Sequence, residues 1–183
     1  MDDLYALKPA SFWAAFKAEH ASLWFLCLYF FFEYVRPQTI YPQIDILPWS
    51  QLALMLSIIS AFADKTAIWV SVPLNKWLVF LFFWVFLSGI FAFNPAASQE
   101  GWVVVANWAL VYFLIIAVVN SEQRFFIFIV LYLLFNLKMA QHGALTWVQR
   151  GFSFASWGLT GSPGWFRNSG EYAIQMLIFG SLI

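Results

Sequence analysis

The feature that most constrains this chain is a series of apolar runs, each about one membrane crossing long and separated by short polar turns. Five complete runs cover about residues 21–35, 47–63, 77–93, 102–119 and 125–140, and a sixth begins near Gly170. Crossing the hydrocarbon core of a bilayer takes about 20 residues of helix. The pattern predicts an all-α, polytopic integral membrane protein with about five complete transmembrane helices and a truncated sixth.

The composition excludes several other classes of protein. Hydrophobic residues make up 63% of the chain and charged residues only 10%, so a soluble domain would expose more apolar surface than water tolerates. The nine basic residues balance nine acidic ones, which leaves no basic face for nucleic acid. The single cysteine, Cys27, has no partner for an internal disulfide. No set of histidines and carboxylates has the spacing of a metal site.

We expect residues 1–183 to form one transmembrane domain, the N-terminal part of a longer protein, because the last apolar run is cut off. Residues 1–20 mix aromatic and charged side chains and are predicted to form an interfacial segment. The three prolines in residues 36–49 prevent a regular helix there. Residues 141–169 are predicted to form an external loop rich in glycine. Their glycines match neither a phosphate-binding loop nor a dinucleotide fingerprint, so no nucleotide cofactor is expected.

Positive charges in short loops favour the cytoplasmic side of a membrane. The predicted crossings place five basic residues on the side of the N-terminus and four on the other. The N-terminus is therefore predicted to be cytoplasmic, with the proline segment and the glycine-rich loop on the opposite face. The first group is Lys8, Lys17, Lys65, Lys76 and Arg124, and the second is Arg36, Lys138, Arg150 and Arg167.

Arg150 and Arg167 flank the glycine-rich loop. A guanidinium group presents a fork of donors that matches phosphate oxygens, so these arginines are candidates to bind a lipid-linked diphosphate. The alternative is that they anchor the loop at the membrane interface. Arg36 either joins the same phosphate site from the proline segment or pairs with Asp45 in that segment.

The sequence Asn168-Ser169-Gly170-Glu171 has the pattern of a helix start, with Asn168 as the cap and Glu171 three residues later. Free backbone amides at such a start bind anions, although an ordinary capped helix explains the pattern equally well. His142 lies four residues after Lys138 and shares its helix face. It is a candidate to accept a proton from an acceptor hydroxyl, or a simple interfacial residue.

Three stretches resemble one family. Residues 32–42 read FEYVRPQTIYP, residues 138–143 read KMAQHG and residues 164–171 read GWFRNSGE. The first resembles the opening of O-antigen ligase-like membrane proteins, most closely the subgroup of O-glycosylation ligases of exosortase A systems. The other two fit the wider ligase and polymerase superfamily, and with the pattern of apolar runs the resemblance covers nearly the whole chain.

The resemblance implies a glycosyltransferase of the bacterial inner membrane that acts on the periplasmic face. Such proteins transfer a glycan from undecaprenyl diphosphate to a lipid, protein or polysaccharide acceptor. They hold the diphosphate with arginines, which match Arg150, Arg167 and, less closely, Arg36. Asn168, Ser169, Glu171 and His142 are possible supporting residues. The family's catalytic histidine is expected beyond Ile183, so this chain alone is expected to be inactive.

Three alternatives remain open from the sequence. A polysaccharide polymerase of the same superfamily differs only in its acceptor. A transporter or lipid-carrier flippase would ordinarily place charges at mid-membrane, and the centres of the second to fifth runs have none. A non-catalytic membrane subunit is compatible with the short chain.

Overall fold

The structure is a computed structural model that describes residues 5–68, 72–153, 158–159 and 168–182, with only the backbone of Ile40. The described residues form helices and connecting turns and contain no strand, which confirms the all-α prediction. The α-helices, numbered in chain order, are α1 (Pro9–Ala18), α2 (Ala21–Tyr34), α3 (Pro37–Ile40), α4 (Trp49–Ala63), α5 (Pro73–Ile90), α6 (Pro95–Val118), α7 (Glu122–Gln149) and α8 (Ser169–Ser181). A 3₁₀ turn lies between α3 and α4 at Pro42–Ile44.

Local chemistry sets the start of several helices. Proline occupies the first turn of α1, α3, α5 and α6, where its missing N–H group costs nothing. At three helix starts, a side-chain oxygen accepts a hydrogen bond from a backbone N–H group that has no partner within the helix. Asn94 accepts a hydrogen bond from Ala97 N, Ser121 accepts one from Arg124 N, and Asn168 accepts one from Gly170 N.

Within the described residues, three helices are long and apolar enough to cross a membrane, namely α5, α6 and α7, with 18, 24 and 28 residues. This is fewer than the five complete crossings predicted. The other two apolar runs form α2 and α4, of 14 and 15 residues. At the rise of an α-helix they extend about 21 and 22 Å, against about 30 Å for the hydrocarbon core. The proline segment limits both helices, since it lies between the end of α2 and the start of α4.

The predicted glycine-rich loop begins later than expected. Residues 141–149 were expected to belong to it, but α7 continues to Gln149 and the chain leaves the helix at Arg150. The reason is that Met139 and Gly143 are buried, so this polar-looking stretch has a packed side and forms an amphipathic helix. Of the remainder of the loop, residues 150–153, 158–159 and 168–169 are described, whereas Trp157, Trp165 and Arg167 lie outside the described residues.

The chain forms two compact units, Met1–Ser60 with Ser121–Ile183 (unit 1) and Ala61–Asn120 (unit 2). In unit 1, α2 and α7 lie side by side and run in the same direction. The ring of Phe30 contacts that of Phe128, and one turn later Tyr34 contacts Tyr132. Helix α8 runs opposite to α7, because Tyr172 contacts Met139 whereas Gln175 contacts Tyr132.

Unit 2 contains the hairpin of α5 and α6. Asn75 Oδ1 accepts a hydrogen bond of 3.0 Å from the Tyr112 hydroxyl. The turn after α4 is closed by Asp64, whose Oδ1 accepts bonds from the amide and hydroxyl of Thr66. Asn120 donates from Nδ2 to the carbonyl oxygens of Thr66 and Ala117. The polar groups of unit 2 thus bind one another at the helix ends.

Candidate functional site

Arg36 occupies the turn that ends α2. Its backbone is left-handed, with φ 51° and ψ 58°, and Pro37 follows as the first residue of α3. Proline disfavours the right-handed helical conformation in the residue before it, so α2 cannot continue through Arg36. The left-handed region costs a residue with a Cβ about 1–2 kcal/mol. The turn therefore holds Arg36 in an unfavourable backbone conformation.

The acidic neighbour of Arg36 is Glu33. Arg36 Nη2 lies 3.9 Å from Glu33 Oε2, and 23% of the arginine side chain remains exposed. Asp45, the other partner suggested by the sequence, is exposed to solvent, and its pairing with Arg36 stays a prediction. Glu33 lies three residues before Arg36, in the last turn of α2.

Hydrogen bonds within the proline segment fix the backbone around Arg36. Gln38 Nε2 donates to the carbonyl oxygen of Phe32 at 3.2 Å, and Thr39 Oγ1 donates to that of Arg36 at 2.8 Å. Trp49 Nε1 donates to Ile44 O at 2.5 Å, and its ring stacks on Phe32. The segment is thus a compact series of turns that returns to the end of α2.

A buried polar cluster joins α7 to α8. Gln175 Nε2 donates to Tyr132 Oη at 2.6 Å and to Asn136 Oδ1 at 2.7 Å, and Asn136 Nδ2 donates to Tyr132 O at 2.8 Å. Asn136 is completely buried. We call Tyr132, Asn136 and Gln175 the amide network. It fixes the register of α8 against α7, and the ring of Tyr34 packs on Tyr132 from α2.

The sequence analysis did not identify the amide network. The available signal was an asparagine in the fifth apolar run and a glutamine in the sixth. Polar amides in such runs commonly hydrogen-bond to a neighbouring helix. The sequence alone does not show that these two residues pair with each other.

The start of α8 crosses α7 closely. A Cβ atom placed on Gly143 would overlap the hydroxyl oxygen of Tyr172 and lie 3.0 Å from its Cζ. The predicted cap is confirmed, because Asn168 Oδ1 accepts a bond of 2.8 Å from Gly170 N. Glu171 is exposed in the first turn of α8, and Ser169 is half-buried beside Gly158.

The other predicted residues lie along the second half of α7. His142 is half-buried and one turn beyond Lys138, which is exposed. Arg150 is exposed at the helix end, where its amide bonds back to the carbonyl of Thr146. Helix α7 rises about 27 Å between Tyr132, which packs on the end of α2, and Arg150.

Arg36 and Arg150 are therefore at different levels of unit 1. The structure does not bring these two candidate arginines into one compact cluster. Arg167, the third, lies outside the described residues.

The opposite end of α7 holds an ion pair that the sequence analysis missed. Arg124 Nε lies 2.7 Å from Glu19 Oε2, and Gln123 Nε2 donates to Glu19 Oε1 at 2.9 Å. Arg124 is only 6% exposed. The predicted topology put residues 19 and 124 on the same membrane side, which was the one available signal. This pair joins the starts of α2 and α7, far from Arg36.

No group of three or more histidine, cysteine, aspartate or glutamate side chains within the described ranges has the arrangement of a metal site. The chain matches no protein-family model, no curated protein and no solved structure.

Proposed function

We propose that this chain is part of a membrane glycosyltransferase that moves a glycan from undecaprenyl diphosphate to a lipid, protein or polysaccharide acceptor. The proposal includes the bacterial inner membrane, a cytoplasmic N-terminus and a periplasmic site. It combines the resemblance of residues 32–42 to O-antigen ligase-like proteins with the geometry of Arg36 in that stretch. The polysaccharide polymerase of the same superfamily remains the alternative.

The observation that carries the proposal is the left-handed backbone of Arg36. Glycine or asparagine would occupy this conformation at lower cost, and neither carries a charge. Strained residues of this kind concentrate at functional sites, where the surrounding structure holds them. The hydrogen bonds of Gln38, Thr39 and Trp49 do this for the turn around Arg36. A role for the guanidinium group explains why an arginine is held there.

The partial exposure of Arg36 supports contact with a ligand. Glu33 orients the guanidinium from one side at 3.9 Å, which is longer than a close hydrogen-bonded ion pair. A guanidinium carries five N–H donors, which is more than one carboxylate accepts. The pairing with Glu33 is thus compatible with anion binding.

The direction of the helices supports the proposed topology. Helices α2 and α7 run in the same direction, so an odd number of crossings must separate them if both cross the membrane. Helices α4, α5 and α6 supply three. In this topology, the short helices α2 and α4 cross with the help of the residues that flank them. Arg36, His142 and the start of α8 then lie toward the same side of the membrane.

The proposed reaction is a displacement at the first sugar carbon. The bond from this carbon to the diphosphate oxygen breaks, and the acceptor hydroxyl oxygen forms the new bond. The hydroxyl proton passes to a general base. Arg36 stabilises the negative charge that develops on undecaprenyl diphosphate as it leaves. No nucleotide or metal is required by this scheme.

The test is glycan transfer by the full-length protein in liposomes that contain undecaprenyl diphosphate-linked glycan. Arg36→Asn keeps a residue that tolerates the left-handed conformation but removes the charge. We expect its transfer rate to fall about 100-fold, the usual effect of removing one charge-stabilising donor. Arg36→Lys keeps the charge without the fork and is expected to give an intermediate rate. Lys65→Asn, an exposed basic residue of unit 2, is the matched control.

The stability readout separates function from folding. If Arg36 acts on the substrate, Arg36→Asn is as stable as the parent or more stable, because asparagine relieves backbone strain. A normal transfer rate in Arg36→Asn would refute the proposal for this residue. The product lost in a deletion strain distinguishes the acceptors: loss of attached glycan indicates a ligase, and loss of chain extension indicates a polymerase.

A further inference from the structure

An apolar groove lies in unit 1 beside α1, α2 and α7, near the Glu19–Arg124 pair. Its volume is about 430 Å³, and almost all of the surface that lines it is carbon. Ten residues line it. They are Trp13, Phe16, Lys17, Trp24, Phe25, Cys27, Leu28, Phe31, Leu131 and Phe135.

The walls of the groove are held by contacts within the protein. Trp24 Nε1 donates a hydrogen bond of 2.6 Å to the carbonyl oxygen of Phe16, which ties α2 to the end of α1. On the other side, Phe31 and Phe135 pack edge to face with ring centroids 5.7 Å apart. These contacts fix the two walls of the groove.

Lys17 is the one cation among the lining residues. Its Nζ lies 5.7 Å from the ring centroid of Trp13, another residue that lines the groove. Glu19, two residues later, binds Arg124 and Gln123 through its two carboxylate oxygens. The groove therefore combines one positive charge with a lining that is otherwise almost entirely carbon.

The dimensions fit a lipid chain. Trp24 to Phe31 covers about 10 Å along α2, most of the roughly 15 Å of hydrocarbon in one leaflet. Trp13, Trp24 and Leu28 are exposed along the groove, so a chain can enter from the side. Tryptophans are typical of the headgroup level of a membrane, where Trp13 and Lys17 would lie together.

We propose that this groove binds one anionic phospholipid, with its phosphate at Lys17 and one acyl chain against Cys27, Leu28 and Phe31. The site lies at the end of α2 opposite to Arg36, and it is separate from the proposed glycan-transfer site. Its lipid would tie α1 to α2 and α7. Failure of this proposal leaves the proposed glycan transfer unaffected, since no residue is shared.

The experiment uses the full-length protein in an uncharged detergent, mixed with equal amounts of phosphatidylglycerol and phosphatidylcholine. Native mass spectrometry counts the retained lipids. A phosphatidylglycerol with a photoreactive group in its acyl chain maps the site by crosslinking. We expect one retained phosphatidylglycerol and crosslinks in α1, α2 and the Leu131–Phe135 region of α7.

Matched variants test the two ends of the groove. Lys17→Gln is expected to weaken retention about fivefold, the effect of one basic side chain at an anionic surface, and Lys17→Arg to preserve it. Leu28→Trp fills the groove from its exposed side and is expected to abolish the crosslinks. Lys8→Gln and Leu134→Trp, which change residues outside the groove, are the controls.

Three results would overturn the proposal. One is equal retention of the two lipids, which would mean that Lys17 selects no charge. Another is crosslinking spread over all helices, which would indicate ordinary contact with surrounding lipid. The third is protection of the groove by a polyprenyl lipid or by a second copy of the chain in place of phosphatidylglycerol.

Discussion

Replacement of Gly143 by alanine should destabilise unit 1, although alanine is the better helix former. The added Cβ would overlap the Tyr172 hydroxyl and lie 3.0 Å from Cζ, so the whole ring must move rather than its tip alone. Tyr172 is only 8% exposed, which leaves little room for this movement. Overpacking a filled core costs about 1–3 kcal/mol.

The helix propensity of alanine opposes this cost. Glycine in a helix interior is about 0.5–1 kcal/mol less stable than alanine. The net loss expected for Gly143→Ala is therefore about 0–2.5 kcal/mol in the free energy of unfolding, centred on about 1 kcal/mol. Gly101→Ala, in α6, is the control, because a Cβ there meets no atom within 4 Å. This variant should be neutral or more stable.

The assay is reversible unfolding in mixed detergent micelles, followed by circular dichroism. A double variant with Tyr172→Phe identifies the cause, since it removes the overlapping oxygen. The free energy of unfolding lost in the double variant should be smaller by about 1 kcal/mol than the sum of the losses in the two single variants. The reasoning fails if Gly143→Ala is as stable as Gly101→Ala, or if the two changes are additive.

Three further variants test other contacts by the same unfolding assay. Arg124→Leu should cost about 3 kcal/mol, because it leaves the carboxylate of Glu19 without its ion-pair partner, and a loss below 1 kcal/mol would contradict this. Gln175→Leu removes two hydrogen bonds of the amide network and should cost about 1 kcal/mol, and unchanged stability would show that the network adds nothing. Asn168→Ala should cost about 1 kcal/mol, whereas Asn168→Asp keeps the cap and should not.

The sequence predicted the positions of the helices better than their lengths. Apolar runs and polar turns locate all six apolar helices, because burial of carbon in lipid depends on local composition. The predicted end of α7, near residue 140, came nine residues before its observed end at Gln149. Its last turns are held by the contact between Gly143 and Tyr172, which are separated by a long loop, and local composition contains no signal for such a contact.

The candidate site was predicted only in part. The cap at Asn168 follows from residues adjacent in sequence and was found. The left-handed backbone of Arg36 was not, although its position before Pro37 was a signal. The partner of Arg36 and the amide network depend on how helices face each other. Charge and hydropathy do not determine these facing surfaces.

The parallel packing of α2 on α7 constrains the order in which the protein can assemble. Glu19 and Arg124 are 105 residues apart in sequence, and all of unit 2 lies between them. Their ion pair cannot form until the ribosome has released α7. During synthesis, the carboxylate of Glu19 therefore lacks this partner while α4, α5 and α6 are made. The pair is a long-range contact that can form only in a chain synthesised through the start of α7.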